Sequence, residues 1–135
     1  MRSLTILMCL LAVSLAGCGQ SSLWAYGDDD ALGIRIGTEM AENVEVGVSS
    51  LWWPENDGDS QLYGAYALYY LPVDDGVKAY VGAQTTLNNN YYDQVAPIAG
   101  IMFDEIFFTE YQYRNWDDKK SQEEDKIVFG IRLRF

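Results

Sequence analysis

Glu45 and Glu110 are the only two of the chain's 20 acidic residues that fall inside stretches alternating between apolar and polar residues. The bases behave oppositely: Arg35, Lys78, Arg114, Arg132 and Arg134 all lie within such stretches. Carboxylates and cations gathered on one face can move protons or neutralise one another. The chain contains no histidine, which removes Ser-His-Asp and Cys-His nucleophilic designs and histidine-ligated metals. The other carboxylates, such as Asp28–Asp30 and Glu123–Asp125, read as turn and loop residues, where water leaves nothing to raise a pKa for acid–base work. Mutual neutralisation is the chemistry to expect. Glu45 and Glu110 should pair with arginines in a network of Arg35, Glu45, Lys78, Glu110, Gln112, Arg114, Arg132 and Arg134, because an enclosed charge without a partner is costly. Asp57 and Asp59 are weak metal candidates, and Asp28–Asp30 and Glu123–Asp125 read similarly. The spacing of Asp57 and Asp59 departs from an EF-hand loop and is accounted for by a solvated glycine turn, so no metal, no cofactor and no enzyme activity are expected.

The elements that must position these charges are strands. Ile127, Phe129, Ile131, Leu133 and Phe135 alternate with Val128, Gly130, Arg132 and Arg134, the two-residue period of a strand between apolar and polar surroundings. Similar patterns predict strands over about 31–38, 43–53, 77–87, 95–103 and 106–116. The stretch 61–71 is apolar or aromatic on both faces, so its orientation stays open. Pro97 is awkward within a ladder and predicts a bulge there. No long segment carries the helical period. Short turns at 39–42, 72–76 and 104–105 alternate with long connections at 54–60, 88–94 and 117–125. With the final strand descending from a long loop, something must ascend before residue 31. Residues 20–27 are the sole candidate, which makes eight strands.

These features together resemble small bacterial outer-membrane β-barrels, at the level of the class. The resemblance rests on alternation over residues 31–135, on short turns facing long loops, and on the terminal Phe135. It implies an all-β, antiparallel, up-and-down transmembrane barrel. It also implies that Phe135, Leu133 and Ile131 form the signal read by the outer-membrane assembly machinery. The amino terminus resembles a lipoprotein leader: Arg2 precedes an apolar run from Leu4 to Leu15, too short to span a bilayer, and Leu15-Ala16-Gly17-Cys18 matches the lipobox. Residues 1–17 would be removed and Cys18 acylated. Cys9 would leave with the leader, so no disulfide is expected. Residues 18–30 would hold the lipidated terminus and the possible first strand. Small barrels of this class usually carry a plain leader, and the lipobox departs from that.

Alternation alone does not choose lipid over water outside the barrel. Glycines on the polar faces (Gly33, Gly37, Gly47, Gly82, Gly130) suit a crowded lumen better than a solvated surface. Aromatics near strand ends, namely Trp52, Trp53, Tyr69, Tyr70, Tyr91, Tyr92, Phe103, Phe107, Trp116 and Phe135, suit two interfacial girdles. The expected role is structural, or one of surface interaction through acidic outer loops, with the lumen plugged by the Arg/Glu network. Asn88-Asn89-Asn90-Tyr91-Tyr92 could touch a surface ligand. The expected partners are outer-membrane lipid and the assembly machinery. A net charge of −11 argues against nucleic acid. Two alternatives remain. One is a lipid-anchored soluble barrel or sandwich, with Ile131 and Leu133 in an apolar, ligand-binding core and Arg132 and Arg134 in water. The other is a narrow pore biased to anions by its surplus of bases.

Overall fold

The computed structural model describes residues 19–29, 31–52, 61–86, 96–115 and 123–135; the leader, Cys18, Asp57, Asp59 and the 88–92 stretch lie outside them. Eight strands run in order: β1 (Ser21–Gly27), β2 (Leu32–Ala41), β3 (Val44–Trp52), β4 (Gln61–Asp74), β5 (Val77–Thr86), β6 (Ala96–Phe103), β7 (Phe107–Asn115) and β8 (Glu123–Arg134). Each pairs antiparallel with the next, and β8 returns to β1 to close the barrel. The ascending strand anticipated at 20–27 is β1. Its closing ladder with β8 runs from Ser22 opposite Arg134 to Gly27 opposite Phe129. Ser21 and Phe135 finish the seam with reciprocal N–H to carbonyl bonds of 3.0 Å. Each strand thereby has a paired neighbour on both sides.

Three tight hairpins lie at the end of the barrel that holds both Ser21 and Phe135. Each needs left-handed backbone to match the twist of its strands: Asn43 (φ 65°) between β2 and β3, Gly76 (φ 76°) between β4 and β5, and Asp104 and Glu105 (φ 52° and 60°) between β6 and β7. The first two bring register shifts at Glu39/Ala41 and Pro72/Asp74. The expected bulge at Pro97 is absent: the β5–β6 register runs unbroken past Ala83 opposite Pro97. Pro97 lies one residue outside the β6–β7 ladder, which begins at Ile98, so its missing N–H falls where no β7 pairing is made.

The faces separate cleanly. Leu32, Ile34, Val81, Ile101, Phe107, Ile127, Phe129, Ile131 and Leu133 point outward and are exposed, Phe129 to 66%. Trp24, Tyr26, Tyr66, Leu68, Tyr80, Met102, Phe108 and Val128 are buried inside. In β4, where both faces were apolar, Gly64, Tyr66, Leu68 and Tyr70 turn in while Ala67, Tyr69 and Leu71 turn out. Inward rings lie over glycines on the neighbouring strand: Tyr26 opposite Gly33, and Tyr80 opposite Gly100. A Cβ at either glycine would run into the ring it faces, so the aromatic filling and the glycines are one arrangement.

Two expectations are corrected. Glu39, Asp74, Glu123, Glu124 and Asp125 belong to strands rather than to turns, because the ladders continue past the apolar stretch at both ends. Tyr70 is not a girdle residue. It is buried, 6% exposed, with its hydroxyl inside the lumen.

Candidate functional site: the charged lumen

Arg35 and Glu110 form the centre of the lumen. Closure of the sheet brings β2 and β7, far apart in sequence, to face one another across the interior. The guanidinium donates both terminal nitrogens in fork geometry, Nη1 to Oε2 and Nη2 to Oε1, each at 2.6 Å. Tyr80 Oη and Gln112 Nε2 each donate to the same carboxylate at 2.7 Å. Arg35 is fully buried and Glu110 is 1% exposed. The guanidinium also faces the rings of Tyr26 at 4.7 Å and Tyr66 at 5.3 Å, which stabilise a cation through their quadrupoles.

Glu45, fully buried, is the second centre. Its Oε1 accepts from Ser22 Oγ at 2.7 Å, Trp24 Nε1 at 2.8 Å and Tyr66 Oη at 2.7 Å. Its Oε2 accepts from Tyr70 Oη and from Arg132 Nη2, both at 2.8 Å. Arg132 lies over the Trp24 ring at 5.2 Å and reaches Met102 Sδ at 3.9 Å with Nη1. Trp24 packs edge-on against Phe108 at 4.8 Å and Tyr80 at 5.7 Å, and so ties the two centres into one body. A buried ion pair is favourable only when its remaining lone pairs and protons are satisfied. Four donor contacts on Glu110 and five on Glu45 meet that condition.

A third group closes the short-turn end. Arg134 Nη1 donates to Glu105 Oε2 at 2.9 Å and Nη2 to Glu39 Oε1 at 2.7 Å. Arg134 also donates to Gln20, and Lys78 Nζ donates to Glu105. The hydrogen bond from Lys78, joined by that from Arg134, holds the Glu105 carboxyl below the usual glutamate range despite some opposing desolvation. Glu105 belongs to the β6–β7 turn, so this cluster fastens β2, β5, β8 and that turn across one mouth.

The residues read as one network from the sequence fall into two groups. Arg35, Glu45, Glu110, Gln112 and Arg132 come together centrally, while Lys78 and Arg134 form a separate rim. Arg114 stands opposite Glu124 in the β7–β8 ladder, and its side chain lies outside the description. The surplus of bases that suggested an anion path is offset among the described residues, because Glu39 and Glu105 turn toward Arg134 and Lys78. The aromatic and hydroxyl donors Ser22, Trp24, Tyr66, Tyr70 and Tyr80 were not anticipated as part of the network. A signal existed for Tyr80, which alternates with Lys78 and Gln84. Another existed for Trp24, whose indole N–H demands an acceptor wherever it is buried. Ile131, Leu133 and Phe135 are exposed on the exterior, at 42%, 51% and 63%. That is the reverse of an apolar-cored soluble barrel, since Arg132 between them is 3% exposed.

No family model and no curated protein matches the chain. Among solved structures it resembles a barrel from "De novo design of transmembrane beta-barrels", at 13% identity and a TM-score of 0.56, with 87% of this chain and 96% of that one covered. The outer membrane protein Ail of Yersinia pestis, solved in a phospholipid bilayer nanodisc, aligns at 16% identity and a TM-score of 0.47, covering 87% of this chain and 99% of that one. Joined to the observed closure, the first of these likenesses fixes the fold: an eight-stranded, antiparallel, up-and-down β-barrel of the transmembrane type.

Proposed function

We propose that the protein is an outer-membrane β-barrel lipoprotein with a non-catalytic role, structural or in surface interaction through acidic outer loops. The observation that carries this reading is the inversion of polarity. Among the described residues the exterior exposes Leu, Ile, Val and Phe side chains, and the interior holds the buried ion pairs Arg35–Glu110 and Arg132–Glu45. Lipid is the one solvent that suits such an exterior, and a closed barrel is the one sheet that suits lipid. Eight strands enclose little more than side-chain volume, so the Arg/Glu network plugs the lumen rather than lining a channel. Phe135, Leu133 and Ile131, all turned outward, present themselves to the assembly machinery. Asp28 and Asp29 stand at the end opposite the tight hairpins, the end at which β3 and β4, β5 and β6, and β7 and β8 are joined.

In this reading the lipid on Cys18 enters the leaflet at the short-turn end. Only Gly19 and Gln20 separate it from β1, a reach of roughly 10 Å. The testing experiment is gel mobility of the membrane-embedded protein, boiled against unboiled, after a carbonate wash. Wash resistance with faster unboiled migration is the expected result. Detergent-only extraction without a heat shift would leave an anchored soluble domain instead. Planar-bilayer recordings are expected to show no stable steps, and anion-selective steps would overturn the plug. Loss of acyl labelling in Cys18→Ser tests the anchor.

A further inference from the structure

The foot of β1 is held from both sides. On one side the Glu39 N–H donates to the Gln20 carbonyl at 3.0 Å, and Gly19 lies so close to the Glu39 carbonyl that a Cβ there would run into it. On the other, Ser21 and Phe135 exchange backbone bonds of 3.0 Å, and Arg134 donates to the Gln20 side chain. Gly19 is thus fixed beside the end of β2. Cys18 is one Cα step beyond it, about 3.8 Å. The fold therefore sets the place at which a lipid on Cys18 is rooted.

The outer face of the barrel above this root is a trough. Ser22, Trp24 and Tyr26 turn inward, so Leu23, Ala25 and Gly27 are the outward residues, and the side chains shrink going up β1. Ala25 stands between Ile34 of β2 and Ile131 of β8, and Gly27 stands between Leu32 and Phe129. All four flanking side chains are exposed, from 37% at Ile34 to 66% at Phe129. Ala25 is exposed as well, so the trough is open along its length. Its walls rise from strands two ladder spacings apart, about 10 Å. Small outward residues elsewhere do not make a trough. Ala67 lies opposite Ala83, and Ala83 opposite Pro97, so they form a flat shelf across β4–β6, on the far side of the barrel from Cys18.

We propose that one acyl chain of Cys18 lies in this trough, over Leu23, Ala25 and Gly27, and covers the β1–β8 seam. The proposal rests on the reading of Cys18 as lipidated. The depth fits. The six residues from Gly19 to Ala25 rise about 20 Å along a strand, or about 15 Å in depth at the tilt of such barrels. One leaflet holds half of the roughly 30 Å hydrocarbon core, so a chain rooted at Cys18 ends near Ala25 and Gly27. Association within lipid depends on close van der Waals packing, and small residues permit it. Free lipids can enter the trough but also leave it. A chain rooted one residue from Gly19 cannot leave, and its tether keeps it at high local concentration beside the seam. The seam is where such cover matters, because β1 is the shortest of the eight strands and its outward face shields its backbone least. The anchor is then part of the barrel wall as well as a tether.

The test uses the full protein, extracted from membranes with its own acyl groups and placed singly in nanodiscs of perdeuterated phosphatidylcholine. Mass spectrometry reads whether Cys18 is acylated. The acyl protons in the disc are then those on Cys18, and NMR reads their Overhauser cross peaks to protein methyl groups. Cross peaks are expected at Ala25, Ile34 and Ile131, and none at Val48 of β3 or Ala83 of β5. Ala25→Leu fills the floor of the trough. It should lose the cross peaks at Ile34 and Ile131 while keeping the acylated mass and the gel heat shift. An acylated protein without cross peaks at Ala25, with equal ones at Val48, or with Ile34 and Ile131 unaffected by Ala25→Leu would overturn the docked chain and leave a plain tether. An unacylated mass would overturn the lipoprotein reading itself, and the docked chain with it.

Discussion

Replacing Glu110 by leucine removes the acceptor of both Arg35 Nη bonds at 2.6 Å, and of the Tyr80 and Gln112 bonds at 2.7 Å. What remains for the fully buried guanidinium is Gln84 at 3.4 Å and the faces of Tyr26, Tyr66 and Trp24. An orphaned buried charge of this kind costs about 3–5 kcal/mol. Arg35→Met leaves the converse problem, a buried carboxylate with two neutral donors, at a similar cost. In the double variant neither charge is present. The residual loss is then about 1–3 kcal/mol for the Tyr80 donor, with a smaller loss for the Gln112 bond to Glu110, lowered by whatever the apolar replacements gain in packing. The double variant should therefore be more stable than the sum of the singles implies, by about 3 kcal/mol or more. The assay is reversible urea unfolding of the lipid-embedded barrel. It is read by tryptophan fluorescence and by the heat-shifted gel band, so that loss of folded population is separated from local change around Trp24. If the two single losses add to the double loss within about 0.5 kcal/mol, the pair is not coupled, the lumen is hydrated, and the account of a plugged interior fails.

Three further outcomes are expected. Phe129→Arg, at a site 66% exposed on the exterior, should cost about 2–4 kcal/mol if lipid covers it at mid-depth, and almost nothing if water does; equilibrium unfolding in vesicles reads the difference. Gly82→Lys should abolish the heat shift, because even a Cβ at Gly82 meets the Ala67 carbonyl and the Leu68 side chain. Glu105 titrates below its ordinary value through the hydrogen bond from Lys78. The stability it contributes is accordingly present above the normal glutamate range and lost as the pH falls through its depressed value. Its partial exposure limits the effect to less than about 1 kcal/mol. Glu105→Gln should flatten that acid limb in a pH series of urea midpoints and leave neutral stability only slightly lower.

The exterior was legible because alternation is a local property. Ile127, Phe129, Ile131 and Leu133 announce one face whatever strand lies beside them. The tight hairpins were legible for the same reason, as Asp75-Gly76 carries its turn chemistry in two residues. The lumen was legible only as a list. Arg35 and Glu110 are 75 residues apart, and which acid an arginine meets depends on the register summed around the closed sheet. Glu39 and Glu105 read as solvated turn residues, and only the curvature of the mouth turns them toward Arg134. Strand β4 hid its orientation because Tyr66 and Tyr70 resemble Tyr69 by residue type. What separates them is the Glu45 carboxylate, supplied by the paired strand β3. β1 was weakly marked because Ser22, Trp24 and Tyr26 look neither apolar nor charged as a face, although together they bear on both buried charge centres.

The two faces also constrain each other energetically. In most domains apolar burial supplies the driving force and buried charge is a liability. Here the large apolar side chains of the last strand face outward, so that part of the driving force is realised only when lipid replaces water around Ile127, Phe129, Ile131 and Leu133. Before that replacement, Arg35, Glu45, Glu110 and Arg132 gain nothing from one another, since each is well solvated in an open chain. Insertion and neutralisation must therefore be cooperative. The closing ladder between β1 and β8 brings Arg132 beside Trp24, and Trp24 and Arg132 both contact Glu45. The seam that completes the barrel is consequently the same step that completes the second charge centre. Arg132 is part of the closure as much as of the Glu45 centre, and a change that leaves Glu45 without it should slow barrel closure as well as weaken the finished fold.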